Sequence, residues 1–269
     1  MTSRLFLFTI LIATLLSCNE EKIGLNPVVG QVDSFLVMQK VINHLEQSKV
    51  EKITRLKFTL RSLHHEDSSS RFLFTITDFQ LDPLPPYLFE VVNFDSLKSV
   101  LASCPYQITV DLPGRITRIN GGVQLQNKIS AAFANKYTAN SFTADYFSAN
   151  AVTDIVNRLF SATSHKKIRE GDNWVRDIVY IVKAPVEISN LFTCGEIRGD
   201  SVFIQNKALI SANQGDASTV YMKGEQSGNF LISANTGLPY LIETHAKMIT
   251  TTSGGDLTSE EIFEIKRLN

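Results

Sequence analysis

The sequence predicts an α+β fold in which a mostly antiparallel β-sheet carries helices on one face. Three observations lead there. Leu56, Phe58 and Leu60 alternate with Arg55, Lys57, Thr59 and Arg61, and Phe72, Phe74 and Ile76 alternate with Arg71, Thr75 and Thr77, the period of half-buried strands. From Gly171 onward, short apolar runs follow one another with Gly, Asn and Pro turns between them, as in an antiparallel sheet. Between these regions, apolar residues recur at helical spacing, most clearly as the stripe Tyr146, Phe147, Ala151, Ile155, Leu159 and Phe160.

The elements follow in order. Residues 32–45 mix helical and strand spacing, so either element fits them. The two alternating strands around Phe58 and Phe74 are joined by His64-His65-Glu66-Asp67-Ser68-Ser69-Ser70, a polar stretch suited to a hairpin tip. Asp82-Pro83-Leu84-Pro85-Pro86 breaks any regular element, because proline fixes φ and lacks a donor, and it marks a sub-boundary at 82–86. Phe94, Leu97, Val100 and Leu101 then share one face of a short helix, with Asn93 or Asp95 as its cap. Tyr106, Ile108 and Val110 alternate up to Pro113-Gly114 and are followed by Ile116 and Ile119, a hairpin. Helices are expected over 123–134 and 143–161. Strands are expected at 174–182, 202–210, 220–223, 229–233, 240–250 and 261–267, the last competing with a helix capped at Thr258. Asn235-Thr236-Gly237 is the clearest turn.

The amino terminus has a different character. Arg4 precedes Leu5 to Leu16, an uncharged apolar run with the length of a secretory core and too short to span a bilayer, which needs about 20 residues. It stops at Leu15-Leu16-Ser17-Cys18, which resembles a bacterial lipobox. That resemblance implies cleavage before Cys18, acylation of its thiol and new amine, and membrane attachment through the acyl chains. Residues 1–17 are then a signal peptide, 18–30 a polar tether and 31–269 one α+β domain. Asn19-Glu20-Glu21-Lys22 is similar to the acidic patch of Bacteroidota lipoproteins, which implies the outer membrane, at its periplasmic or outer face.

Bulk composition narrows the partners. A formal net charge of -1 over 269 residues provides no basic field for nucleic acid. Apart from Cys18 the cysteines are Cys104 and Cys194; in an exported chain they are either a disulfide pair or two buried free thiols.

Catalytic signals are thin. His64, His65, Glu66 and Asp67 include metal-ligand types, but neighbours on a strand point to opposite faces, so the run reads as a solvated tip with no metal. Ser164-His165-Lys166-Lys167 has the Ser-x-x-Lys spacing of serine acyltransferases without its companion motifs. Cys104 precedes a proline and has no histidine nearby to activate it. Gly-x-Ser-x-Gly, His-Glu-x-x-His and a phosphate-cradling glycine loop do not occur, so no cofactor is expected. Trp174, the sole tryptophan, reads as a core anchor whose indole N–H meets a buried acceptor.

From Tyr106 to the carboxyl terminus, the hairpin YQITVDLPGRITRINGG, the helices, Gly171-Asp172-Asn173-Trp174 and the glycine hairpin SGNFLISANTG resemble uncharacterised exported proteins of Bacteroidota. The resemblance implies a curved half-barrel with helices on its concave side, similar to periplasmic lipoprotein carriers. It supplies no catalytic residues. The expected role is a non-catalytic, lipid-anchored binding or envelope-maintenance module for an apolar ligand or an envelope protein. A hydrolase with dispersed residues and a structural spacer are the alternatives.

Overall fold

The computed structural model describes residues 21–45, 48–66, 68–85, 94–133, 136–164, 166–181, 185–213, 221–252 and 255–268. Cys18 and the leader lie outside the described residues. The main sheet is antiparallel, open and eleven-stranded. Its first half descends through β2 (Val32–Leu45), β3 (Ser48–Glu66), β4 (Ser69–Asp82), β5 (Tyr106–Asp111) and β6 (Ile116–Asn120). The second half runs through β8 (Asn173–Ile181), β9 (Pro185–Arg198), β10 (Ser201–Asn213), β11 (Tyr221–Ser233), β12 (Pro239–Thr252) and β13 (Gly255–Arg267). Every neighbour along β6-β5-β4-β3-β2 and β13-β12-β11-β10-β9-β8 is consecutive in the sheet, and the two runs join where β13 pairs with β2.

Residues 32–45 are a strand because Asp33, Phe35 and Val37 point inward at period two, and Phe35 stands opposite Phe58. The inner face of this half carries a run of rings: Phe35 on Phe58 at 5.2 Å, Phe58 on Phe74 at 4.4 Å, and Phe74 edge-on to Tyr106 at 6.3 Å. Such pairs contribute roughly 0.5–1.5 kcal/mol beyond their burial. The Pro-rich break after Asp82 interrupts the chain but not the sheet, since β4 pairs directly with β5.

Helices α1 (Phe94–Ser103), α2 (Gly122–Ala132), α3 (Lys136–Tyr146) and α4 (Ala149–Leu159) cover this ring-lined surface. Leu97, Leu101, Leu125, Ile129, Phe142, Val152 and Val156 are buried against it. The single helix expected over 143–161 is two helices. Phe147 is buried at the corner, and the Ser148 hydroxyl accepts from Ala151 N, so a new helix is capped where the old one stops. At the same corner Tyr106 donates its hydroxyl to Phe147 O, and burial holds that phenol well above its ordinary pKa.

The second half departs from expectation in two places and resolves an alternative in a third. β9 was not expected at all. β11 is one strand where two short ones were expected, and of the two readings of the carboxyl-terminal residues the expected strand is the one found, over 255–267. The expected tether is also corrected over its described part. β1 (Glu21–Lys22) pairs with β7 (Lys167–Ile168), while Ile23 and Leu25 are buried in the core. The same segment donates Asn26 N to Thr236 O at 3.1 Å. Two buried aliphatic side chains and these backbone hydrogen bonds together dock it.

The edges β6 and β8 are brought together rather than paired. α4 packs against both. The Arg176 guanidinium on β8 donates to Pro113 O (2.6 Å) and Gly114 O (2.7 Å) of the β5–β6 turn and to Phe160 O (2.7 Å) after α4. Gly114 has φ 84, and a Cβ there would stand 2.3 Å from Thr163 Oγ1, so the turn requires glycine.

A second lock closes the end of the sheet where the amino-terminal segment docks. Asp200, in the β9–β10 turn, accepts from Tyr240 Oη (2.7 Å), Asn235 N (2.7 Å) and Ser233 Oγ (2.9 Å). Burial raises its pKa, but these three hydrogen bonds and nearby Arg267 outweigh burial and hold the carboxyl below its usual value. Arg267 pairs with buried Asp33.

Two outcomes are expected. Arg176→Ala strands several buried carbonyls and lowers unfolding stability by about 3 kcal/mol in urea titration; an unchanged midpoint would show that the edges need no latch. Asp200 has a depressed folded pKa, so its contribution is full above the unfolded value of about 3.9 and disappears as pH falls through the folded value. The stability gap between wild type and Asp200→Asn therefore narrows on acidification below about pH 4, checked by thermal melts across pH; a gap that widens would reverse the assignment.

Candidate functional site

The concave face divides into two zones. On one side of the divide the helices, with Phe160, Ala162 and Ile168, fill the curve of the sheet. On the other, the inner wall of β8 to β13 carries a separate apolar cluster of Ile178, Ile188, Ala208, Ile210 and Ala246, with Val186, Met222 and Met248 half-buried beside it.

The divide is a polar belt across the strands. Arg176, Asn190, Ala208, Gln226, Ala246 and Glu261 stand opposite one another in successive pairings. Asn190 donates to Arg176 O (3.2 Å), Asn206 to Asn190 Oδ1 (3.2 Å), and Gln226 to Asn206 Oδ1 (3.1 Å). Asn190 and Asn206 are almost fully buried, so this relay satisfies amides that water does not reach. At the far end Gln39 donates to Glu261 Oε1 at 2.9 Å.

Arg158 of α4 completes the belt from the helical side. Its Nη1 lies 2.9 Å from Glu261 Oε1, its Nε 3.2 Å from Asp154 Oδ1, and its Cζ 4.3 Å over the Phe263 ring. Burial pushes the Asp154 carboxyl above its usual pKa, against the pull of Arg158, and the charge of Glu261 pushes the same way. The packing here is close: Arg158 and Ser161 on one side and Ile178, Ile188, Gln226 and Phe263 on the other leave a gap of only about 10 Å³.

Sheet curvature makes the zone concave. Gly224 and Gly228 flank Gln226 on the inner face of β11. A Cβ at either would stand 2.4 Å from a backbone carbonyl of β12, Lys247 O or Glu243 O. Only glycine lets the strands bend this tightly. The row beyond the belt reads Ile178, Ile188, Ile210, Gly224, Met248 and Ser259, so one wall is aliphatic and its floor is amide and charge. Such a surface suits a molecule with an apolar body and a polar end.

The residues singled out in the sequence do not converge here. His64 lies 2.6 Å from Glu66 and His65 2.8 Å from Ser70, at the expected hairpin tip. Among the described residues no group of three His, Cys, Asp or Glu is arranged to hold a metal ion. Ser164 is buried and bonded to the backbone of Lys166, while Lys167 is exposed on β7. Of the two readings left open for Cys104 and Cys194, a disulfide or two buried free thiols, the structure has the free thiols. Cys104 follows α1, and Cys194 lies within β9 with its pKa pushed up to about 11, chiefly by burial. Trp174 stacks on Phe192 at 5.5 Å but is only half-buried, and its indole N–H has no acceptor among the described residues, which corrects the expected buried bond.

Sequence reasoning missed the belt. Asn190, Asn206 and Gln226 fall in phase with the buried residues Phe192, Ile204 and Phe230, and that shared phase was the available signal.

Comparison with known proteins adds three findings. Residues 92–239 match the family described as a family of unknown function (DUF6263). The structure is similar to that of lipovitellin, described as showing lipid-protein interactions in lipovitellin, with a TM-score of 0.58 and 13% identity over 90% of this chain. The chain spans only 25% of the lipovitellin chain, and the likeness establishes the open, curved antiparallel sheet. A match to the attachment invasion locus protein Ail of Yersinia pestis has a TM-score of 0.18 and 5% identity over 90% of this chain and 100% of that one, and bears no weight. No curated protein matches the sequence.

The belt generates one prediction. Asn206→Leu leaves the Asn190 carbonyl and the Gln226 amide without partners and costs about 2–4 kcal/mol. Chemical denaturation measures it, and a neutral result would mean that water replaces the relay.

Proposed function

Because the chain belongs to this family of unknown function over more than half its length, its role must be read from its own residues, and we propose a lipid-anchored, non-catalytic envelope protein that binds an amphipathic or apolar ligand on its concave wall. The observation that carries this reading is the aliphatic zone beyond the belt. Its five central side chains are buried and Val186, Met222 and Met248 beside them are half-exposed, inside a curved sheet and bounded on one side by polar groups that could orient a headgroup. The belt amides are bonded to one another, as befits a binding floor rather than a reacting centre. The lipovitellin likeness supports a sheet architecture able to face lipid. The lipobox-like Leu15-Leu16-Ser17-Cys18 supports attachment to the outer membrane, at its periplasmic or outer face. Acylation at Cys18 is enough for stable anchoring, since each buried CH2 contributes about 0.8 kcal/mol and two chains already hold a protein at a bilayer.

Native mass spectrometry of the protein purified from its own membrane tests the reading. The wild type is expected to carry a non-covalent lipid-sized adduct that Met222→Lys loses, because a charge at this half-buried wall position repels an acyl chain. Cys18→Ser is expected to move the protein to the soluble fraction. An adduct-free wild type, or a stoichiometric protein in place of lipid, would sink ligand carriage.

A further inference from the structure

We infer that the end of the domain bearing β1 and β7 rests directly on the phospholipid headgroups, and that the apolar wall therefore faces away from the membrane that anchors it. The inference builds on acylation of Cys18. Glu21 is already part of β1, hydrogen-bonded opposite Ile168, and Ile23 and Leu25 are fixed in the core. Only three residue steps separate Cys18 from Glu21, and even fully extended they reach about 10 Å. A domain with so short a lead cannot stand off from the bilayer, and its emergence point must lie within headgroup distance.

The surface at that point suits such contact. Lys166, Lys167 and Arg169 are exposed immediately beside β1. Two neighbouring acids, Glu170 and Asp172, are exposed as well, and each accepts one backbone N–H: Glu170 from Ile197 N at 2.9 Å and Asp172 from Arg169 N at 2.9 Å. Basic side chains beside an acyl anchor add to membrane attachment where the headgroups are anionic.

The opposite end lies a strand length away. From β1 the chain runs to the β11–β12 turn, where Asn26 N meets Thr236 O. β11 leads from that turn back to Tyr221, 13 residues or roughly 40 Å distant. Met222 and Met248 of the apolar wall lie towards this far end, opposite Thr250 and Gly224. A ligand would then enter from the aqueous side, delivered by or passed to something other than the anchoring leaflet.

Depth-dependent quenching tests the orientation. The acylated full-length chain, carrying a fluorophore at Lys166→Cys or at Tyr221→Cys, is placed on vesicles of phosphatidylethanolamine and phosphatidylglycerol with a headgroup nitroxide. Flotation is measured in parallel. The expected result is flotation of both proteins with several-fold stronger quenching at position 166. Flotation with equal quenching, or with stronger quenching at 221, overturns the orientation and leaves the anchor standing. Failure of the chain to float overturns the anchor, and the orientation falls with it.

Discussion

The fold depends on holding two strand edges close together without pairing them. An antiparallel sheet of eleven strands has unpaired backbone groups along both outer strands, and exposed edges invite association with other chains. A barrel would solve this by joining β6 to β8. Here α4 fills the gap instead, and one guanidinium binds carbonyls contributed by the β5–β6 turn and by the chain after α4. Arg suits the task because its planar fork donates in several directions at once from one fixed position. Gly114 yields the space that this arrangement needs. The curvature thus set determines which residues face inward, where the helices fit, and how much of the concave wall they leave to other contacts.

Within that frame the two halves solve burial differently. The half built from β2 to β6 is filled by its own aromatic rings and by helices, leaving little room for a guest. The half built from β8 to β13 has smaller inward residues, among them Ala208, Ala246, Gly224 and Gly228, and divides its inner surface with buried amides. A buried relay of amides contributes little net stability when complete and costs much when broken. Its value is positional, because it fixes the boundary between the packed core and the aliphatic wall.

Much of the sheet was legible in the sequence because strands such as Leu56-Lys57-Phe58-Thr59-Leu60 bury one face only and alternate cleanly. β9 was not legible. Asn190 occupies an inward position, Leu191 an outward one, and Gly195 interrupts the run, so polarity and face are uncoupled. The belt was hidden for the same reason: an amide in a strand ordinarily reads as solvent-facing, and only the curvature places Asn206 inside. The docked amino-terminal segment was misread because Ile23 and Leu25 are sparse among polar and turn residues, and sparse aliphatics carry no period. The split of residues 143–161 rests on one capping serine inside an otherwise continuous apolar stripe. For the site, the sequence offered residue types without neighbours, and the neighbours come from strand register.

The joining of β2 to β13 has a kinetic consequence. All other adjacent strands of the main sheet are close in sequence, but this pair unites residues 35–44 with residues 258–267. When a chain emerges amino terminus first, β2 can find β3 early, yet its other side has no partner until the last strand arrives. Phe35, Val37 and the backbone beside them stay open to competitors until more than 200 further residues, through β13, have been made. Long-range pairing of this kind is slow and prone to aggregation. The arrival of β13 is therefore the step that joins the two halves of the sheet. A truncation that removes only β13 would separate the sheet into two halves with raw edges, a far larger loss than the length of one strand suggests.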